Sequence, residues 1–324
     1  SRVPDTEYQA LVDFYHSMNG PGWNTKWDVS QNDLHEGAWH GLTIEDGHIV
    51  SIRLGNNRLN GEIPSSFSNL KHLRHLYLEG NYYNQHHLKG NSMESLSTLE
   101  NLEYLNLQYC QLQGSVPSTW GKLSKLKELY LSYNALTNLP DELADLTALT
   151  ALTLNNNQIK AIPLPFKKLS NLVTLRLDNN QISGELDKGL EELTALRTLN
   201  LNNNRISGTK ALFASHVSSF NIQNQTLNIE SFTYKGGDVV FPRLPEIVYY
   251  DKNKQDFSAK NNIQFYLRNS HVYTGTISED GSFTIPAIYL QTIKKGDAVR
   301  LNQANGTSSG TQIYFDTLII DQSR

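Results

Sequence analysis

One short apolar motif recurs through the middle of this 324-residue chain and limits its fold more than any other feature. The template L-x-x-L-x-L-x-x-N-x-L fits in one register from residue 49 to residue 227, with successive steps of 24, 29, 24, 23, 23, 24 and 21 residues. A regular period of about 20 to 30 residues is typical of a solenoid built from one stacked supersecondary unit. The asparagine position of the template is occupied by Asn57, Asn81, Cys110, Asn134, Asn157, Asn180, Asn204 and finally Gln225.

The chemistry of the motif explains its spacing. Each L-x-L segment predicts a short strand whose leucines point into the core while the residues between them point outward. Stacked units then align these strands as a parallel sheet along the inner curve. The asparagine amide both donates and accepts hydrogen bonds, so it satisfies backbone groups at the turn that follows. Stacked turns therefore predict a structural ladder through the seven positions from Asn57 to Asn204, with Cys110 replacing one asparagine.

On this motif the chain resembles the leucine-rich repeat family over about 180 residues. The resemblance implies an α/β solenoid of about eight repeats with a parallel concave sheet and a helical N-terminal cap. LNGEIP (59–64) and LQGSVP (112–117) are similar to the plant-like subclass of repeats, whereas LTNLP (136–140) and IKAIP (159–163) are similar to the shorter bacterial type. The resemblance thus indicates a mixture of two repeat types.

Residues 1–48 are predicted to form the cap. A helix is expected over residues 5–18, and Trp23, Trp27 and Trp39 are expected to cover the open end of the first repeat. The segment resembles the plant-type cap, but Gly37 and Ile44 stand where that cap usually carries cysteines. This departure favours a bacterial surface or exported protein, with a removed N-terminal segment and a lipid anchor as a further expectation.

A different pattern begins after residue 227. Alternating apolar and polar residues predict strands at 263–267, 272–277, 282–286, 298–301 and 313–320, separated by turn signals. Such spacing favours an antiparallel all-β domain, an immunoglobulin-like β-sandwich by architecture. The predicted domains are therefore a cap (1–48), a solenoid (49–227) and a C-terminal β-sandwich (228–324).

Charge and hydropathy argue against nucleic-acid binding and against a membrane-spanning segment. The net charge is −4 and no basic stripe follows the sequence, which argues against binding of nucleic acid. No run approaches the roughly 18 apolar residues of a membrane span. The lone cysteine excludes an internal disulfide.

No motif of catalysis, cofactor binding or metal ligation is found. Cys110 falls in the ladder, where a thiol is neither exposed nor activated. Glu79 and Glu128 are predicted to lie roughly 16 Å apart on the inner sheet, too far for glycosidase chemistry. His86 and His87 are adjacent and lack further ligands at metal-binding spacing, so a solvated loop is expected. The chain is therefore predicted to be no enzyme, with no cofactor and no metal.

Displayed positions on the concave face carry the binding hypothesis. Tyrosines concentrate in repeats two to four, and tyrosine provides large contact areas at little conformational cost. The 29-residue repeat adds a loop beside this patch, in which Tyr83 is expected to replace a core leucine. The predicted ligand-binding residues are Arg53, His75, Tyr77, Glu79, Tyr104, Asn106, Tyr109, Glu128, Tyr130 and Tyr133.

Two functions from different classes follow. The first is an extracellular or surface adhesion or recognition protein that binds a protein or peptide ligand through the concave face. The alternative is a carbohydrate-binding accessory protein in which glycans stack on tyrosines of the C-terminal domain, namely Tyr249, Tyr250, Tyr266, Tyr273 and Tyr314.

Overall fold

The computed structural model describes residues 3–30, 34–35, 37–209, 211, 213, 216–245, 248–251, 256–258, 262–303 and 311–321. The chain divides into two compact units. The first comprises residues 1–180, 189–199 and 215–219, and the second comprises residues 181–188, 200–214 and 220–324.

Short strands and single helical turns dominate the repeats. The α-helices are α1 (Asp5–Ser17) and α2 (Ser92–Ser95), and the 3₁₀ turns cover Gly20–Gly22, Ser65–Asn69, Leu96–Thr98, Ser118–Lys122, Asp141–Asp145, Leu164–Lys168, Lys188–Glu192 and Ala287–Tyr289. The strands up to residue 221 are β1 (Leu42–Glu45), β2 (His48–Arg53), β3 (Asn60–Gly61), β4 (His75–Tyr77), β5 (His87–Leu88), β6 (Tyr104–Asn106), β7 (Gln113–Ser115), β8 (Glu128–Tyr130), β9 (Ala135–Asn138), β10 (Ala151–Thr153), β11 (Thr174–Arg176), β12 (Ser183–Leu186), β13 (Thr198–Asn200), β14 (Arg205–Thr209) and β15 (Ser219–Asn221).

The central element is a nine-stranded sheet with the strand order β1-β2-β4-β6-β8-β10-β11-β13-β15. Its first pair is antiparallel, and the pairs from β2 to β11 are parallel. Leu105, Leu129, Leu152 and Leu175 lie in register on neighbouring strands, and all four are fully buried. The period-two alternation of the motif thus builds the core, and the predicted solenoid with a parallel sheet is confirmed.

In several repeats a proline marks the start of the 3₁₀ turn. Pro64, Pro117 and Pro140 each immediately precede a 3₁₀ turn and have the extended backbone that their rings favour. In the turns that follow, Phe67 and Trp120 are fully buried. The proline of the repeat motif therefore marks the point where the chain turns back over the core.

The N-terminal cap covers the first repeat with aromatic side chains. Trp23, Trp27 and Trp39 are buried, and each indole N–H donates to a backbone carbonyl within the cap. The carboxylate of Glu7 on α1 is also buried; it accepts from the backbone N–H of Ile49 at 2.9 Å and lies 2.7 Å from Nδ1 of His48. Helix α1 is thereby fixed to β2 by paired polar groups as well as by apolar contact.

A ladder of side-chain hydrogen bonds follows the sheet. Nδ2 of Asn157 donates to the carbonyls of Leu131 and Leu154, at 3.0 Å each, and its Oδ1 accepts from the N–H of Leu136. Asn134 and Asn180 repeat this arrangement, and Gln225 performs it with its longer side chain. Each such side chain joins its own repeat to the one before, because it bonds backbone groups of both.

The 29-residue repeat departs from the predicted ladder. Asn81 bonds instead to Asn56 and to the N–H groups of Tyr83 and Asn84, inside the extra loop. The ladder position belongs to His86, which is fully buried, so the prediction of a solvated loop at this residue is wrong.

A second correction concerns the core position of the same repeat. Tyr83 was expected there, but it is 88% exposed, while Leu88 is buried at the corresponding position. The backbone of His87, beside Leu88, pairs with Leu59 of the preceding repeat. The five-residue insertion lies between the strand and the ladder turn, so it shifts both the ladder and the core position by five residues.

Among its described residues the second unit has nine further strands: β16 (Thr226–Tyr234), β17 (Val239–Phe241), β18 (Val248–Asp251), β19 (Asp256–Ser258), β20 (Ile263–Leu267), β21 (Ser270–Gly275), β22 (Phe283–Ile285), β23 (Val299–Gln303) and β24 (Thr311–Ile320). Five of them form a sheet in the order β16-β24-β23-β20-β21, and β17 pairs with β22. Its core is rich in phenylalanine and includes Phe232, Phe265 and Phe283. The predicted C-terminal sheet domain is therefore present.

This sheet is not purely antiparallel as expected. The long strand β16 runs parallel to β24, with Leu227 opposite Ile313 and Tyr234 opposite Ile320. The first strand of the domain thus lies beside its last strand, which the alternation of apolar residues cannot specify. An immunoglobulin-like sandwich and the three-domain division stay predictions.

Candidate functional site

Strands β4, β6 and β8 bring the predicted concave residues into two rows. His75, Tyr104 and Glu128 lie opposite one another in the first row, and Tyr77, Asn106 and Tyr130 lie opposite one another in the second. All six are half-buried, whereas the leucines between them are fully buried. Tyr77, Tyr104 and Tyr130, hereafter the tyrosine cluster, thus surround Asn106 on one face of the sheet.

Arg53 on β2 borders this cluster. Its guanidinium carbon lies 4.4 Å from the centre of the Tyr77 ring, and its Nη2 lies 3.3 Å from Nδ1 of His75. The His75 ring in turn lies 4.7 Å from that of Tyr104. Burial and the charge of Arg53 lower the pKa of His75. The guanidinium can only donate, so Nδ1 of His75 accepts this hydrogen bond.

A carboxylate borders the other side of the cluster. The Tyr130 hydroxyl donates to Oε1 of Glu128 at 2.5 Å. Burial, this hydrogen bond and the charge of Glu128 raise the pKa of Tyr130. Burial also raises the pKa of Tyr77, although the charge of Arg53 acts in the opposite direction. The hydroxyls therefore remain protonated, and Glu128 adds negative charge beside them.

Glu79, at the end of β4, has an unusual environment. Its Oε2 is buried and finds no hydrogen-bond partner among the residues that the structure describes. Burial raises the pKa of this carboxyl, with the charge of Arg53 acting against it. Its other oxygen occupies space left free by Gly55, where a Cβ atom would lie only 2.2 Å away.

Tyr109 and Tyr133 form a stacked pair at the turns after β6 and β8. Their rings are 4.4 Å apart and inclined by 7°. Both residues have positive φ angles, 54° and 59°, at the position that Asn56, Asn156 and Asn179 hold in other repeats. Asparagine tolerates this left-handed conformation far better than a bulky residue does.

The extra loop places two more aromatic rings on the surface. Tyr82 and Tyr83 are 73% and 88% exposed, with ring centres 5.2 Å apart. Sequence reasoning missed them as surface residues because it assigned Tyr83 to the core. The length of the repeat was the available signal.

The concave face beyond β8 is different in character. Ser132 donates to Asn155, and the Arg176 guanidinium bonds the Asp178 carboxylate at 3.1 Å. The Asn155 amide also bonds Asn156. These polar groups bond one another, so this half of the face presents small polar and charged groups rather than aromatic rings.

A cavity of about 500 Å³ lies along the flank of the first strands. Arg74 forms an ion pair with Glu45, Glu103 forms one with Lys127, and the Lys125 ammonium bonds the neutral amide of Asn101. Sequence reasoning did not find this cavity, because its wall combines residues of β1 and β2 with residues that precede β4, β6 and β8. The lining residues are Glu45, Asp46, His48, Val50, His72, Arg74, Asn101, Glu103 and Lys125.

Of the tyrosines proposed for glycan stacking, Tyr266 and Tyr314 lie in one row across β20, β23 and β24 with Arg300 between them, whereas Tyr273 lies on the opposite face of that sheet. Tyr273 packs against the core of the second unit and lies 4.8 Å from Tyr289. Tyr266 has the Arg300 guanidinium 3.9 Å from its ring centre, and Tyr314 is exposed. Tyr249 and Tyr250 belong to β18, whose side chains lie outside the described residues.

Within the described part of the chain, no group of three or more His, Cys, Asp or Glu side chains is arranged to hold a metal ion. No helix among those residues is long and apolar enough to cross a membrane.

Two family models match the repeats. A model described as "Leucine-rich repeat region" matches residues 83–218, and one described as "Leucine Rich Repeat" matches residues 48–70. Together they cover β6 and β8, which carry Tyr104 and Tyr130, whereas β4 with Tyr77 lies between the two matches.

Similar curated proteins are plant receptors. The chain is 36% identical over 78 residues to Leucine-rich repeat receptor protein kinase EMS1 of Arabidopsis thaliana, a match covering 24% of this chain and 6% of that protein. It is 30% identical over 147 residues to Receptor-like protein 49 of the same plant, covering 42% of this chain and 17% of that one. The matched segments span less than a fifth of either relative.

Solved structures share the fold. PEPR1-AtPEP1 gives a TM-score of 0.59 at 21% identity, covering 71% of this chain and 35% of that chain. A plant ice-binding protein gives 0.57 at 22% identity, covering 73% and 83%. The Arabidopsis receptor kinase HAESA ectodomain, in complex with a peptide hormone ligand, gives 0.52 at 21% identity, covering 75% and 43%. The chain therefore carries leucine-rich repeats over the matched residues, shares its fold with these structures, and is similar to plant receptors over part of their length.

Proposed function

We propose that the chain is a non-catalytic recognition protein that binds a peptide or protein through the tyrosine-rich half of its concave face. The stacked pair, Tyr109 and Tyr133, carries this proposal. Two bulky residues hold a left-handed backbone where asparagine is the residue in other repeats. Backbone strain retained in this way is typical of functional positions.

The remaining support comes from neighbouring side chains. The tyrosine cluster, Arg53 and Glu128 provide aromatic faces, donors and acceptors over three adjacent strands. Aromatic residues and arginine are the side chains that contribute most to binding energy at protein interfaces. The HAESA ectodomain, similar in fold, was solved in complex with a peptide hormone ligand.

The proposal also covers where the protein acts and what it does there. We expect an extracellular protein, because the relatives are named as receptors and one similar structure is an ectodomain. We also propose a bacterial source and a role in adhesion, because Gly37 and Ile44 stand where the plant-type cap usually carries cysteines.

A selection experiment tests the proposed site. Peptides selected from a random library on the full chain should lose binding to the Tyr77→Ala/Tyr104→Ala/Tyr130→Ala variant. The matched control, Thr153→Ala/Thr174→Ala/Thr198→Ala, alters the other half of the concave face and should retain binding. Circular dichroism verifies that both variants fold. Equal binding of the selected peptides to the tyrosine variant would refute the concave site.

A further inference from the structure

The surface over Asn106 that Tyr77, Tyr104 and Tyr130 border is called the socket below. Tyr77 and Tyr130 lie two strands apart on either side of Asn106, which places their Cα atoms about 10 Å apart. Tyr104 precedes Asn106 by two residues on the same strand and therefore points to the same face. The Asn106 side chain is held down, because its Oδ1 accepts from the backbone N–H of Gln108 at 3.1 Å. The three tyrosines thus border the short side chain of Asn106.

The electrostatics of this socket favour a positive guest. Aromatic faces carry negative potential and attract ammonium and guanidinium groups. Glu128 stands in the row beside Tyr104 and bonds the Tyr130 hydroxyl, so a full negative charge lies at the edge of the three rings.

A second acceptor on the same face lacks a donor. Oε2 of Glu79 is buried, and no donor within the described ranges reaches it. Because this oxygen is buried and the other lies against Gly55, Glu79 is not a contact for a ligand in the socket. The negative charge beside the socket is therefore that of Glu128, and the guanidinium of Arg53 is already engaged with Tyr77 and His75.

Arg53 also shows that these rings accept such a group. Its guanidinium carbon lies 4.4 Å from the Tyr77 ring centre, within the range of a cation–π contact. The chain therefore makes within itself the interaction that the socket offers to a ligand.

From this arrangement we infer that the peptide ligand inserts a lysine or arginine side chain between Tyr77, Tyr104 and Tyr130, with its charge facing Glu128. The inference rests on the proposed concave binding site and specifies its ligand: a basic peptide segment. Neutral and acidic segments lack the charge that the socket complements.

The test uses peptides selected from a random library on the full chain, kept only if the Tyr77→Ala/Tyr104→Ala/Tyr130→Ala variant does not bind them. Each is resynthesised with citrulline for arginine and norleucine for lysine, which removes the charge and preserves most of the shape. Binding to the wild-type chain should weaken by about tenfold. Glu128→Gln should lose most of this preference, whereas the exposed control Glu142→Gln should keep it.

The outcomes separate the two claims. Selected peptides that depend on the tyrosines but tolerate neutral substitutes would overturn the basic-ligand inference and leave the concave site standing. An unchanged preference in Glu128→Gln would equally overturn the inferred role of this carboxylate. Failure to obtain any peptide that distinguishes the wild-type chain from the tyrosine variant would refute the proposed site and this inference with it.

Discussion

Nε2 of His86 accepts a hydrogen bond of 3.0 Å from the backbone N–H of Asn57, one repeat earlier. Its Nδ1 lies 2.7 Å from the carbonyl oxygen of Leu78, which can only accept, so this nitrogen carries the proton. A neutral imidazole therefore performs the donor and acceptor functions that asparagine amides perform elsewhere in the ladder. Protonation of Nε2 would break the bond to Asn57.

Stability should consequently fall in mild acid. Burial lowers the pKa of His86 below its ordinary value, while its bond to Leu78 acts in the opposite direction. Between the native and unfolded pKa values only the unfolded chain binds the proton, so the free energy of unfolding rises with pH. This contribution is complete above the unfolded value of about 6.5 and decreases as the pH falls below it.

The measurement is urea unfolding at several pH values for the wild type and His86→Gln. The variant should be less stable near neutrality by about 1 to 3 kcal/mol, because a buried hydrogen bond is disturbed. It should also have a shallower pH dependence below about pH 6.5. A pH dependence identical to that of the wild type would contradict the assigned role of His86.

Replacing the stacked pair with asparagine should stabilise the protein. A left-handed backbone costs a bulky residue roughly 1 to 2 kcal/mol, and losing the ring contact costs about 1 kcal/mol. The double variant Tyr109→Asn/Tyr133→Asn should therefore gain about 1 kcal/mol in denaturant unfolding while binding selected peptides less tightly. The reciprocal control, Asn156→Tyr, should lose stability. A destabilised double variant would show that the pair serves folding rather than binding.

Removing the Glu7 carboxylate should loosen the cap. Glu7→Ala leaves the N–H of Ile49 without its acceptor and His48 without its partner, at a cost of about 3 kcal/mol. Glu7→Gln can still bond both groups and should cost about 1 kcal/mol. Thermal unfolding measures the difference, with the exposed Glu100→Ala as control. If Glu7→Ala unfolds like the control, the buried pairing contributes nothing.

Cys110 should resist thiol reagents in the native protein. It is fully buried, burial raises the pKa of its thiol, and its Sγ donates to the carbonyl of Leu78 at 3.2 Å. Reaction requires an exposed thiolate, so labelling near pH 8 should await unfolding. A fluorescent maleimide measures the rate with and without guanidinium chloride. Rapid labelling of the folded chain would contradict this burial.

The ladder shows where sequence reasoning works and where it stops. From Asn134 onward the template count places each asparagine correctly, because leucine burial and turn satisfaction repeat with the same period. In the 29-residue repeat the count selects Asn81, although His86 holds the position. The template contains no histidine, and only the alignment of backbone groups between neighbouring repeats reveals which residue meets them.

For the concave face, too, the sequence predicts some features and not others. Alternation in L-x-L identifies the displayed residues, including Tyr77, Tyr104 and Tyr130. It does not reveal that Arg53 stacks on Tyr77, or that the turns at Tyr109 and Tyr133 are left-handed. Those facts depend on rotamers and backbone angles that neighbouring strands impose.

The recurring motif alone determined the solenoid, its parallel sheet and the face that each side chain occupies, since burial of leucine at a fixed period admits few other arrangements. Tertiary structure decided that His86 replaces Asn81, that β16 runs beside β24, and that Glu79 keeps an oxygen without a donor among the described residues. Periodicity is a property of the local chain, whereas hydrogen-bond satisfaction depends on groups that are brought together from distant positions.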